Sequence, residues 1–140
     1  MSALTSWIKR LRPTPQPLGQ RGERYVARWL RRQGYKIVAG GQRTRYGELD
    51  LVAVQGETIV FVEVKTRRAH SLADAAAAVD EEKQRRIVRT ALAFLKHHGL
   101  LEYSVRFDVV ALVWPENAKE PQLLHVPSAF EPEGQGQFFR

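Results

Sequence analysis

The sequence predicts an α/β domain built on a mixed β-sheet of four to five strands flanked by helices, and three observations carry that expectation. Two β-branched apolar runs, Leu49 to Val54 and Thr58 to Thr66, are separated only by Gln55, Gly56 and Glu57. That is hairpin spacing and makes them antiparallel. A long helical pattern, from about Asp74 to His98, follows and leads to another apolar run, Tyr103 to Trp114. A connection of that length permits a parallel crossover in the same sheet.

The elements follow in chain order. Pro13, Pro15 and Pro17 alternate with other residues, and alternate prolines cannot form a helix interior. Residues 1–18 are therefore expected to be a flexible basic arm, with Trp7, Ile8 and Leu11 able to make a short docking turn. Gly19 to Gln33 reads as a helix stopped by Gly34, with Val26, Ala27 and Leu30 on one face and Arg24, Arg28, Arg31 and Arg32 on the other. A short strand is expected at Tyr35 to Ala39, then the hairpin, then a loop from Arg68 to Ala73. In the long helix Val79, Ile87, Ala91, Phe94 and Leu95 keep helical spacing, and Gly99 stands where a left-handed C-terminal cap belongs. A weak last strand, Leu123 to Val126, closes a domain of residues 19–127, and 128–140 is a polar tail.

Composition narrows the chemistry. With 140 residues, 44% of them hydrophobic and 26% charged, the chain suits one soluble globular domain with a core of its own. It has no cysteine, so disulfides and thiolate metal sites are excluded, and any metal needs oxygen or histidine ligands. That favours Mg2+ or Mn2+. No apolar run approaches the roughly 18 residues of a membrane span, and the first residues lack the apolar centre of a signal peptide. A cytoplasmic protein without membrane contact is expected. The net charge of +7, from 22 Lys and Arg against 15 Asp and Glu, is what a polyanion-binding surface requires.

Charged residues inside the hairpin raise the functional question. Ile59, Phe61, Glu63, Lys65 and Arg67 share one strand face, while Glu48, Asp50, Val52 and Val54 share a face of the partner strand. A two-residue turn sets Asp50 either diagonal to Glu63 or directly opposite it, with backbones roughly 5 to 8 Å apart. Two converging carboxylates repel unless a cation lies between them, and a hard divalent ion is the simplest one. The alternative is a salt-bridged cluster neutralised by Lys65. Glu23 falls in the middle of the Val26, Ala27 and Leu30 face, where a buried carboxylate needs a partner. It either supports the same site or merely favours the positive end of its helix. Extending the stripe of the long helix backward reaches Lys83 and Gln84, which either contact a phosphate at that site or belong to a solvated face. Asp108 shares a face with Arg106, and a salt bridge is expected of it rather than catalysis. His97 and His98 do not face one metal together, and there is no HExxH motif, Walker-type loop or Ser-His-Asp arrangement.

The blocks GQRGERYVARWLRRQGYKIV, RYGELDLVA, FVEVKTR, VDEEKQRR and RFDVVAL resemble, in order and spacing, the YraN family of small bacterial proteins. An Asp in one strand, Glu-x-Lys in the next and a Glu on a preceding helix resemble the PD-(D/E)xK superfamily. That superfamily has the restriction-endonuclease-like fold, and the YraN family is itself similar to archaeal Holliday-junction resolvases. The resemblance implies Asp50 and Glu63 as metal ligands with the Val64 carbonyl as a third, Lys65 as the lysine that orients the attacking water, and Glu23 as the helix carboxylate. Lys83 and Gln84 match the helix lysine region. Arg43, Arg45, Arg67 and Arg68 around the hairpin ends would carry the nucleic-acid backbone.

The expected function is thus a Mg2+- or Mn2+-dependent endonuclease acting on DNA, with branched or otherwise unusual structures as substrate. The competing readings are a DNA-binding accessory or scaffold protein of a repair or recombination complex, and an RNA-processing nuclease. A homodimer is expected by analogy with resolvases.

Overall fold

The computed structural model describes residue 4, residues 21–69 and residues 71–132. The expected basic arm, apart from Leu4, and the last residues of the polar tail lie outside these. Helix α1 spans Arg21–Arg32 and buries Gly22, Glu23, Val26, Ala27 and Leu30. It stops because Gly34 adopts φ 95°, a left-handed conformation that costs glycine nothing.

The sheet contains β1 (Lys36–Thr44), β2 (Gly47–Gln55), β3 (Thr58–Arg67), β4 (Ser104–Val113) and β5 (Gln122–Val126), in that spatial order. Only β3 and β4 are parallel; the other neighbours are antiparallel. Gln55 pairs with Thr58, so Gly56 and Glu57 form a two-residue turn, and Gly56 takes φ 61° where such a turn needs it. β1 is longer than the expected Tyr35 to Ala39. Gly40 and Gly41 look like a break, yet Gly40 pairs with Leu51 and the strand runs on to Thr44. A register shift between Ile37 and Ala39 absorbs the irregularity, as a bulge can.

The expected single helix from Asp74 to His98 is in fact two, α2 (Leu72–Ala77) and α3 (Glu81–His98). Asp80 is the reason. Its backbone is extended and its carboxylate accepts from the Lys83 N–H at 2.8 Å, so it caps α3 instead of continuing α2. Ser71 caps α2 in the same manner through Asp74 N–H. At the far end of α3 Gly99 has φ 68°, as its position predicts.

Two cores result, one on each sheet face. On the α3 side Ile87, Val88, Ala91, Phe94 and Leu95 pack with Val52, Ile59, Phe61, Phe107 and Val109, and Leu4 is buried among them. On the α1 side Val26, Ala27 and Leu30 pack with Leu51, Ala53, Val60, Val62, Val110 and Leu112. Each large buried side chain contributes about 1.5–3 kcal/mol. The α1-side core also holds Asp108, 1% exposed. As expected it is salt-bridged: it accepts from Arg106 Nε at 2.8 Å and Ser128 N at 3.0 Å, and pairs with His125 Nε2 at 2.7 Å. Burial alone would raise its pKa, but the bonds from His125 and Arg106 outweigh it and hold the carboxyl below its usual range. The segment after β5 stays on the fold, with Ala129 N donating to the Phe107 carbonyl and Phe130 stacked on the Phe107 ring.

Candidate active site

The β2–β3 ladder ends at Leu51 and Val62, although β2 goes on pairing with β1 down to Gly47 and β3 with β4 up to Arg67. The two strands therefore diverge at the next step. There the register sets Asp50 directly opposite Glu63, one of the two arrangements the turn allows. The edge of β3 so exposed needs new partners. Asp50 Oδ2 supplies one, accepting from the Val64 N–H at 2.9 Å. In a strand the N–H and C=O of one residue point to the same edge, so the Val64 carbonyl also faces the Asp50 side.

Glu63 is buried, 6% exposed, and its carboxyl is in hydrogen-bond contact with that of Asp50. Burial first, and the Asp50 charge second, push its pKa from 4.5 up to about 7, against the opposing pull of Lys83. Lys83 Nζ lies 3.2 Å from Glu63 Oε1. Two acidic groups forced together where β2 and β3 part, with a hard carbonyl oxygen on the same edge, form a donor set suited to Mg2+ or Mn2+. Among the described residues no group of three His, Asp or Glu side chains could hold an ion unaided. The remaining positions would fall to water and substrate oxygens, as Mg2+ commonly requires.

The other expected site residues are distributed around this pair. Lys65 is two residues beyond Glu63 on the same strand face and half-exposed. Glu23 is buried in the first turn of α1, hence in the opposite layer. It stands next to Gly22, whose missing Cβ allows close approach to Thr66 Oγ1. Gln84 does not extend its amide nitrogen into the site; Nε2 donates to the Val79 carbonyl at 3.0 Å and fastens the α2–α3 junction. Arg43 pairs with Glu48 at 3.5 Å, and Arg45 bonds the Tyr46 hydroxyl at 2.6 Å. Both stand at the β1–β2 hairpin end, near where β2 begins. Arg67 and Arg68 lie where β3 ends, at the same end of the sheet. The bond from Val64 to Asp50 is the feature that pattern reading misses, because it depends on where two strands part.

The family model described as "Uncharacterised protein family UPF0102" matches residues 22–112, a span that holds Glu23, Asp50, Glu63, Lys65 and Lys83. A UPF0102 protein from Rhodopirellula baltica is 44% identical over 125 residues, covering 87% of this chain and 75% of its own length. One from Treponema pallidum (strain Nichols) is 46% identical over 118 residues, covering 81% and 92%. One from Anaeromyxobacter dehalogenans is 41% identical over 119 residues, covering 85% and 87%.

Proposed function

This chain belongs to the UPF0102 family, which is the YraN family, and from its paired carboxylates on β2 and β3 we propose that it is a metal-dependent endonuclease hydrolysing phosphodiester bonds in DNA, with branched or otherwise unusual structures as substrate. The observation that carries the reading is the Asp50–Glu63 pair, held together where β2 and β3 separate and made electrostatically costly by burial. A carboxylate pair perturbed by burial and by its neighbour's charge is a functional-site candidate. Asp50, Glu63 and the Val64 carbonyl would hold Mg2+ or Mn2+. The ion would supply charge for the phosphoryl oxygens and lower the pKa of a bound water.

The protein's own residues account for the rest. Asp50, fixed by the Val64 N–H, keeps one carboxylate oxygen oriented. Lys65, on the Glu63 face, orients the attacking water against the scissile phosphate. Lys83, paired with Glu63 at 3.2 Å, would be released toward that phosphate if a bound ion neutralised Glu63 instead. Glu23 supports the site from the α1 layer. Arg43, Arg45, Arg67 and Arg68 carry the backbone on either side of the cut.

One observation favours a second reading. Lys83 already neutralises Glu63 in part, which suits a DNA-binding accessory protein with little turnover of its own. A cleavage panel separates the two: linear, flapped, forked and four-way DNA and structured RNA, with Mg2+ or Mn2+, for wild type and Asp50→Ala. Cleavage of branched DNA that Asp50→Ala abolishes is expected. Tight binding without cleavage of any DNA selects the accessory reading, and cleavage of RNA alone changes the substrate class.

A further inference from the structure

Behind the end of β3, on the layer opposite Glu63 and Lys65, lies a cavity of about 200 Å³ lined by Arg21, Gly22, Thr66, Arg67, Arg68 and Trp114. Three of its six lining residues are arginines and none is acidic. The Arg21 guanidinium lies 3.7 Å from the Trp114 ring centroid. Trp114 is itself fixed, its Nε1 donating to the Ala118 carbonyl at 2.9 Å and its ring meeting Tyr25 edge-on. Arg67 is steadied by a bond from NH1 to the Thr66 carbonyl at 3.1 Å. Ordered guanidiniums of this kind bind an anion with less loss of side-chain freedom than mobile ones. A second cavity continues the first along α1, sharing Arg21 and Trp114 and adding Arg24, Arg28 and Lys119 against the single carboxylate Glu120. Arg21, Arg24 and Arg28 are three and four residues apart, so they form one stripe about 10 Å long on the helix.

The geometry points to a phosphate subsite in the Arg21–Trp114 cavity that takes the backbone of an unpaired nucleic-acid strand, beside the cleavage site and on the other layer of the sheet. Its ligand class rests on the nuclease reading of Asp50 and Glu63. From Glu63 to Thr66 is three strand residues, about 10 Å along β3, and the two side chains stand on opposite faces, so a nucleic-acid strand that reaches both turns round the end of the sheet within a few nucleotides. A path from one face of the sheet round to the other over so short a distance turns more sharply than a duplex, with a persistence length of about 150 bp, bends. A strand seated there has left its helix, which makes a flap or branch the natural substrate. Trp114, 6% exposed, holds the Arg21 guanidinium in place over its ring, and the arginine stripe takes the phosphates that follow.

The test is a titration of metal-free protein, in EDTA, with a labelled single-stranded oligothymidylate at several salt concentrations, following anisotropy and the Trp114 indole N–H by NMR. For Arg67→Gln/Arg68→Gln the expected result is affinity weakened about tenfold and a salt dependence shallower by about 1.4 in log–log slope, at roughly 0.7 per lost cation. Arg68→Glu, at an exposed position, is expected to weaken binding on its own, and the wild-type Trp114 resonance is expected to shift on saturation. Unchanged affinity and slope in both variants, or a Trp114 resonance that stays in place at saturation, would overturn the inference. Failure of the nuclease reading looks different: oligonucleotide binds with the expected arginine dependence, yet no DNA is cut when Mg2+ is added.

Discussion

Glu63 makes the apo protein less stable as its proton is lost. Its pKa is about 7 in the fold against 4.5 when free. Between those values the folded chain holds a proton the unfolded chain has released, so stability falls as pH rises through this window and stays lowered above it. The cost is on the order of 3 kcal/mol. Glu63→Gln is therefore expected to melt higher than wild type at about pH 8 in EDTA and no differently near pH 4, where both forms are neutral; a lower melting temperature at pH 8 would contradict this. Asp108 acts in the opposite sense. Its pKa is lowered, so its contribution is present above the free value of 3.8 and is lost as pH falls through the folded one. Asp108→Asn is expected to cost about 3 kcal/mol in denaturant unfolding at neutral pH, because it removes the buried charge that the half-buried Arg106 and His125 both pair with. A change under 1 kcal/mol would count against that role.

At the scale of elements, two close fits decide how the site is framed. The Asp80 cap holds the first turn of α3, from which Lys83 reaches Glu63. Asp80→Ala is expected to cost about 1 kcal/mol and Asp80→Asn much less, by chemical denaturation; equal losses would show that the carboxylate's charge and not its capping bond matters. Gly22 permits α1 to touch β3, since a Cβ there would overlap Thr66 Oγ1. Gly22→Ala is expected to destabilise by about 1–3 kcal/mol, with much of the loss recovered in the Gly22→Ala/Thr66→Ala double variant. No recovery would mean that Thr66 is not the obstacle. These are also the places where sequence reading stops short. Helical spacing of Val79, Ile87 and Ala91 runs smoothly across Asp80, so a capping break looks like helix. Gly40 and Gly41 look like a turn because pairing to β2, which sustains the strand, is not local. Strand alternation, by contrast, is local, and together with the two-residue turn it places Asp50, Glu63 and Lys65 on one face.

For the molecule as a whole, the mixed sheet is legible because hairpin spacing makes β2 and β3 antiparallel and a helical crossover permits β4 to lie parallel, whereas the spatial order of all five strands is not written in local pattern. The layers were less so. That Glu23 and the Arg21–Trp114 cavity lie across the sheet from Glu63 follows from which core α1 covers, and periodicity alone does not specify that. Both layers nevertheless border the same end of β3, Glu63 and Lys83 on one face and Thr66 against Gly22 on the other, and the proposed chemistry depends on that end. Lys65 tests it most directly, because it stands beside Glu63 and is assigned to the water and the scissile phosphate, one phosphate contact among several. The measurement is single-turnover cleavage of a branched DNA substrate with Mg2+, at saturating protein, for wild type and Lys65→Ala, with affinity measured in parallel. The account predicts a rate reduced by about 100-fold or more with affinity changed only a few-fold. Equal cleavage rates at saturation would contradict it.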